Sequence, residues 1–498
     1  MSGAVRRLAK ESAVYGISTI GARFLNFLLT PFYTQLFLPA DFGVVSTWFS
    51  LIAFLNILFQ FGLPQGYLRF AADRSGSERS SLFVSLQLVL LMVSVSFSLV
   101  LLAGHGALLT LLEFPSESFK LLPWVLIILT LDALAMIPFN QLRLENRSLA
   151  FSLVKLMNVL INLTGNVIFL VGFKTGIEGV FYANALASLF TLAVTLWLTR
   201  DHLAGRLNLG WKELWPVLVF SVPLIPTGFG TMFNEVADRL FIQNLSQETI
   251  RNWSGPVSLT NQDLVGYYSA GHKLGLFMFL IVQMFSMAWT PFFLQESKKP
   301  TFGESLSGLF RVLLIGLLVS GFLLAFFMDD VLVVSIAGYH LIPPAYWSGL
   351  VVVPWVVLAY VFNGIYVFFS YGLFLEKRSG AILIIMVSGV IITLAGNLFL
   401  LPVAGIAGSA ATVFLCYLVM ALMMAWMSLK TRPFSIGTGF LFRTALVMVP
   451  AWFMVFFHYH GTPLTLWLKV LISLVVIGLI FIFKLWTLNL LRLFRRPA

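Results

Sequence analysis

Fourteen apolar stretches, each long enough to cross a lipid bilayer, follow one another along this 498-residue chain with only short connections between them. They centre on residues 12–37, 42–63, 82–103, 120–140, 150–172, 177–199, 215–245, 263–291, 308–328, 347–372, 381–400, 406–428, 440–459 and 465–486. The hydrocarbon core is about 30 Å thick and an α-helix rises about 1.5 Å per residue, so a run of about 20 apolar residues spans it once. No water is present there to satisfy backbone N–H and C=O groups, and a segment of this length satisfies them internally only as a helix. With 59% apolar and only 10% charged residues, and a mean hydropathy of +0.95, the chain cannot be a soluble domain that hides an apolar face. The expected fold is all-α, a polytopic membrane protein of about 14 transmembrane helices.

The sequence also repeats itself. Pro123-Trp124-Val125, Leu144-Glu145-Asn146-Arg147-Ser148 and Leu163-Thr164-Gly165-Asn166 return 231 residues later as Pro354-Trp355-Val356, Leu375-Glu376-Lys377-Arg378-Ser379 and Leu394-Ala395-Gly396-Asn397. A further echo, Gly176-Ile177-Glu178-Gly179 against Gly405-Ile406-Ala407-Gly408, follows with a two-residue slip. More loosely, Asp41-Phe42-Gly43 and Ser46 match Asp263, Gly266 and Ser269. The repeat unit is six helices; six is even, so both copies enter from the same side and the repeat is parallel. This divides the chain into an N-terminal six-helix lobe (1–205), a C-terminal six-helix lobe (206–430), and an additional helix pair with a basic tail (431–498). Pro216, Pro223 and Pro226, with Gly228 and Gly230, interrupt the seventh run, which reads either as a kink or as a hinge at the start of the second copy. Duplicated membrane bundles with a site at the repeat interface are characteristic of transporters.

A formal net charge of +11 raises the question of nucleic acid, and the placement of the charges answers it. With an even number of spans both termini share a side. Loops on that side hold 24 of the 31 Lys and Arg, whereas the opposite loops hold only Lys120, Lys174, Arg251 and Lys469. That asymmetry is the positive-inside signature: both termini are expected in the cytoplasm, and no nucleic-acid partner is implied. The first run, interrupted by Arg23 and Asn26, is expected to remain as the first span rather than to be a cleaved signal peptide. The single cysteine, Cys416, reads as a small buried filler.

A charge near the bilayer centre costs at least about 2.5 kcal/mol on insertion scales, so each one is a candidate for function. Thr19, Arg23, Asn26 and Thr30 form one polar stripe on the first span, and Asn56 with Gln60 forms a similar pair on the second. In the eighth span Lys273 sits near mid-depth beside His272. The seventh carries Thr227, Thr231, Asn234 and Asp238 at helical spacing, and Glu235 lies four residues before Arg239, placed for an intrahelical ion pair. Asp132 in the fourth span corresponds in the repeat to the neutral Asn363; either ion coupling or a counter-ion for Arg23 or Lys273 accounts for it. The candidate substrate-binding set is therefore Arg23, Asn26, Lys273 and Arg239, and the candidate ion-coupling set Asp132, Glu235 and Asp238. Guanidinium and ammonium groups bind phosphate well, which favours a phosphate-bearing cargo.

Enzymatic machinery is not visible. No Gly-x-x-x-x-Gly-Lys-Ser/Thr loop, His-Glu-x-x-His helix or Gly-x-Ser-x-Gly elbow occurs. The adjacent Asp329 and Asp330 read as helix-end or solvated residues rather than a metal site. No cofactor is implied beyond a proton or sodium gradient.

The residues Gly21-Ala22-Arg23-Phe24, Pro31-Phe32-Tyr33-Thr34, Leu38-Pro39-Ala40-Asp41-Phe42-Gly43 and Phe61-Gly62-Leu63-Pro64 resemble the start of bacterial polysaccharide-biosynthesis proteins of the oligosaccharide flippase (Wzx-type) family. That family belongs to the multidrug/oligosaccharidyl-lipid/polysaccharide (MOP) exporter superfamily. The resemblance implies two six-helix lobes facing each other in a V and alternating access in the bacterial inner membrane. The implied cargo is a polyprenyl-diphosphate-linked oligosaccharide, whose diphosphate the cavity cations would hold while its lipid tail stays among membrane lipids. Other polysaccharide assembly proteins are implied as partners. The alternatives are a lipid II flippase, which fourteen spans would suit, or a cation-coupled drug exporter, where cavity acids would dominate. A membrane glycosyltransferase or polymerase would show Asp-x-Asp or Glu-x-Asp sites in a larger external domain, and neither is present.

Overall fold

The computed structural model describes residues 21, 25–111, 113, 116–208, 210–254, 259–297, 302–336, 338–376 and 378–485. Helix dominates: α1 (25–36), α2 (Pro39–Gln60), α3 (Leu63–Ala71), α4 (Gly76–Ala103), α5 (His105–Leu111), α6 (Leu122–Leu144), α7 (Ser148–Asn166), α8 (Glu178–Leu198), α9 (Trp211–Ser221), α10 (Leu224–Gln243), α11 (Gln247–Ser254), α12 (Asn261–Glu296), α13 (Phe302–Val333), α14 (Val353–Leu375), α15 (Ser379–Thr431), α16 (Thr438–His460) and α17 (Leu466–Ile482). One two-residue antiparallel pairing, Ser335–Ile336 with Tyr339–His340, closes the turn after α13. Packing divides the chain into two units, 1–266 and 267–498, with the first turn of α12 belonging to the first.

Eleven segments among the described residues are long and apolar enough to span a membrane. One of them, Gly380–Thr431, is 52 residues long and bends at Gly405, whose φ of 60° and ψ of −148° lie outside the helical region. The eleventh and twelfth apolar runs thus meet at one residue without a loop. The fourteenth expected run is the 17-residue α17, shorter than these segments, and α1 lies in the first run, most of whose earlier residues are outside the described set.

The repeated motifs fold alike in both copies. After α6 the chain turns through Asn146 at φ 55°, and Arg147 N–H returns to Leu142 C=O at 2.9 Å. After α14, Arg378 N–H returns to Leu373 C=O at the same 2.9 Å. Arg147 and Arg378 then precede the next helix with nearly equal torsions, φ/ψ −88°/56° and −85°/63°. Gly176 and Gly405, the first glycines of the Gly-Ile-x-Gly echoes, both have positive φ, 64° and 60°. A side chain there would be strained, which is why glycine stands in each copy.

Within the first unit, glycines let backbones approach where a side chain would collide. A Cβ on Gly43 would lie 1.9 Å from the carbonyl oxygen of Gln262, and one on Gly266 would lie 2.0 Å from that of Pro39. The opening turns of α2 and α12 therefore cross reciprocally, each glycine under the other's carbonyl, a close approach that only small residues permit. At the prolines of the seventh run α9 gives way to α10 across Val222 and Pro223, which keep helical torsions (φ −59° and −62°). Pro226 cannot donate to Val222 C=O, which accepts instead from Ile225 N–H at 3.1 Å. Gly62, at φ 66° in the turn from α2 to α3, packs against this junction, where a Cβ would sit 2.2 Å from Ser221 C=O.

Gly62→Ala is accordingly expected to cost about 1–3 kcal/mol from overpacking in addition to its backbone strain. Gly76→Ala shares the positive φ but meets nothing within 4 Å, so it should cost less. Thermal unfolding of both variants in detergent checks the order; equal melting points would remove the packing argument.

Candidate functional site

Polar side chains inside the first unit answer one another across helices. Tyr33 on α1 donates to Asn166 Oδ1 at 2.9 Å, and Asn166 donates in turn to the backbone and side-chain oxygens of Asn162 at 2.8 Å. On α8, Ser188 and Thr191 are three residues apart and share a face. Thr191 accepts from Asn158 of α7 at 2.9 Å, and Ser188 lies beside Asp132 of α6. Among the described residues Asp132 forms no ion pair; this half-buried carboxylate faces a hydroxyl. Gln60 donates to Asn56 at 2.8 Å, joining the pair read on the second span.

Of the stripe on the first span, Thr19 and Arg23 lie outside the described residues. Asn26 is exposed and Thr30 is buried, so its described members differ in environment. On α10, Asn234, Asp238 and Arg239 are all buried. Arg239 reaches the Asp238 carboxylate at 3.2 Å and donates to the backbone carbonyl oxygen of Glu235 at 3.2 Å. Arg239 and Asp238, assigned separately to cargo binding and to ion coupling, are thus brought together, and their opposite charges offset one another. In the second unit, His272 is buried between Tyr268 and Tyr360, with ring centroids 5.7 and 6.3 Å away, and Lys273 beside it is half-buried.

Two charged clusters went unrecognised in the sequence. In the second unit Lys469 is fully buried, which corrects its assignment to an outside loop: it belongs to α17. Its ammonium contacts both Asp329 oxygens at 2.6 and 2.8 Å and Asp330 at 2.6 Å. Asp329 and Asp330 are therefore ion-paired rather than simply solvated. His458 completes the cluster: Leu464 N–H donates to its Nδ1 at 2.8 Å, so Nδ1 is an acceptor and Nε2 carries the hydrogen that meets Asp329 at 2.8 Å. That arrangement describes a neutral imidazole. The cluster ties α13, α16 and α17 together.

In the first unit, Glu145 of the repeated turn meets His202 at 2.8 Å, Gln141 at 2.7 Å and Arg147 at 3.4 Å. Tyr67 donates to Gln141, and Ser80 holds the other imidazole nitrogen of His202 at 3.0 Å. Burial pushes the Glu145 carboxyl upward, but hydrogen bonds from Gln141, His202 and Arg147 outweigh it and hold the group below its usual range. Asp329-Asp330 and an isolated Lys inside an apolar run were the available sequence signals. The 140-residue separation between Asp329 and Lys469 concealed their pairing.

Comparison with known proteins gives a consistent family and fold. A family model described as polysaccharide biosynthesis protein matches residues 8–296. No curated protein matches the chain. Among solved structures, the chain is similar to the lipid II flippase MurJ in an inward closed conformation, at a TM-score of 0.71 and 14% identity, covering 97% of this chain and 100% of that one. It is also similar to an inward-facing multidrug resistance MATE family transporter of the MOP superfamily, with TM-score 0.58, 14% identity, and coverage of 82% and 94%. A MATE structure in a straight conformation gives TM-score 0.57, 13% identity, and coverage of 86% and 95%. These likenesses establish a MurJ- and MATE-like all-helical fold.

Removing one partner of a buried charge cluster is costly, so Lys469→Met should destabilise by about 3 kcal/mol or more. Adding Asp329→Asn and Asp330→Asn should recover part of the loss; a triple variant melting no higher than Lys469→Met would refute the charge account. Glu145 behaves as a depressed carboxylate: its contribution is present above its unfolded pKa and is lost as pH falls through its folded value, below about 4.5. Glu145→Gln should therefore flatten the acid limb of a melting-point-against-pH curve, and an unchanged limb would contradict the assignment.

Proposed function

Because the chain belongs to the polysaccharide biosynthesis protein family, we propose that it is a flippase for a polyprenyl-diphosphate-linked oligosaccharide, the repeat unit of an O-antigen, capsule or exopolysaccharide. The observation that carries this reading is the coincidence of that family with a fold matching a lipid II flippase over 97% of the chain. Lipid II is the cargo in that relative's name; the family match is what moves the cargo of this chain toward polysaccharide precursors. A cation-coupled drug exporter is the second reading, favoured by the MATE likenesses, which cover less of the chain.

The physical task is to carry a charged, hydroxyl-rich headgroup through a layer that cannot solvate it. An isolated ion moved into a low-dielectric medium costs tens of kcal/mol, so the protein must supply a polar, wet passage while the polyprenyl tail remains in lipid. Alternating access does this without opening a continuous pore. In this reading Arg23, Asn26, Lys273 and Arg239 receive the diphosphate, Arg239 with its charge moderated by Asp238. Asp132, Glu235 and Asp238 are the groups through which a proton or sodium gradient would drive the cycle. The lobes 1–205 and 206–430 are the units of duplication, with 431–498 added to them. The site of action is the bacterial inner membrane, with both termini cytoplasmic and membrane lipid and polysaccharide assembly proteins as neighbours.

Arg23→Ala and Lys273→Ala should each reduce surface polysaccharide at least about ten-fold while the protein remains inserted at wild-type abundance. Flow cytometry with a glycan-specific probe, alongside an immunoblot of membranes, measures both. Normal display in the double variant would remove these cations from the mechanism.

A further inference from the structure

At the Arg-rich end of the first unit a recess of about 870 Å³ opens between the first turns of α4 and the segment joining α8 to α9. Its volume suits a small ligand. Its walls are built by specific contacts. Ser81 donates to Arg206 C=O at 2.6 Å, and Asn208 N–H donates to the buried Ser85 hydroxyl at 2.9 Å. Gly205 lies so close to α4 that a Cβ would stand 2.2 Å from Ser80 C=O. Ser77, Ser81 and Ser85, spaced by four, place a row of hydroxyls along one face of α4.

The lining discriminates among ligand chemistries. Three carboxylates, Glu78, Asp201 and Glu213, stand against two guanidinium groups, Arg74 and Arg206. Arg74 is already engaged by Glu213 at 3.0 Å. A phosphate would meet a net negative wall, and a lipid chain would meet hydroxyls and charges. A neutral ligand whose every group both donates and accepts suits this mixture of carboxylate, amide, hydroxyl and guanidinium, and a sugar is such a ligand. We propose that the recess is a glycan-binding subsite that reads the saccharide of the cargo, apart from the cationic groups assigned to its diphosphate. The assignment rests on the flippase reading.

The test uses full-length protein in detergent and the lipid-linked oligosaccharide that accumulates when the gene is deleted. Mild acid releases the free oligosaccharide from its lipid diphosphate, and titration calorimetry measures its binding. Wild type is expected to bind the released sugar. Asp201→Asn combined with Asn208→Ala should weaken binding about ten-fold, and Ser77→Trp, which fills the recess, should abolish it, with melting points unchanged. If Ser77→Trp fails to fold, the polar pair decides the question alone. Equal binding by wild type and the folded variants, or binding of the intact lipid-linked form but not of the released sugar, would overturn the recess assignment while leaving the flippase reading intact. A deletion strain that accumulates no lipid-linked oligosaccharide would instead overturn the flippase reading, and this assignment with it.

Discussion

Lipid cannot hydrogen-bond, and that single deficiency shapes this molecule from its helix count to its glycines. A hydroxyl or amide carried into the spans is costly to bury unless it meets a partner. Many find the nearest one: Thr191, Thr195 and Thr199 donate in succession to the carbonyls of Ala187, Thr191 and Thr195, at 2.7–2.8 Å. Such back-bonds satisfy a hydroxyl without recruiting a second helix. The side chains that instead reach across helices, such as Tyr33 to Asn166 and Asn158 to Thr191, specify which helices must be neighbours. Lys469 is the extreme case, because its burial is tolerable only with Asp329 and Asp330 in place.

Duplication fixed the frame, and divergence within it created the differences that matter. Asn166 and Asn397 occupy equivalent positions, and each donates to the carbonyl four residues back, that of Asn162 or Thr393. Their oxygens are met differently, by Tyr33 of α1 in the first copy and by Ser409 of the same long helix in the second. Asp132 and Asn363 differ in the same manner, with a carboxylate retained in one copy only.

Much of this was legible in the sequence because it depends on short-range rules. Apolar run length gave the spans, and the repeated Leu-Glu-x-Arg-Ser segment correctly marked one turn used twice, since its geometry rests on bonds of four or five residues' reach. The gap between the eleventh and twelfth runs hid a direct bend at Gly405, because a hydropathy pattern cannot distinguish a loop from one residue of positive φ. Lys469 was misassigned for a related reason: a charge near the start of a 17-residue helix reads as an edge group unless its distant partners are known. The pairing of Arg239 with Asp238 was equally obscured, since adjacent residues on a helix do not ordinarily face one another.

The central claim is that this fold moves a glycan headgroup across the bilayer while its lipid anchor stays within it. Reconstituting the purified protein into liposomes containing the lipid-linked oligosaccharide, and measuring how much of it an external glycan-cleaving enzyme can reach, tests this most directly. The account predicts that the enzyme consumes the inner-leaflet pool only in vesicles that contain the protein. Cleavage that stops at the outer-leaflet share, with or without the protein and with or without an imposed ion gradient, would contradict it.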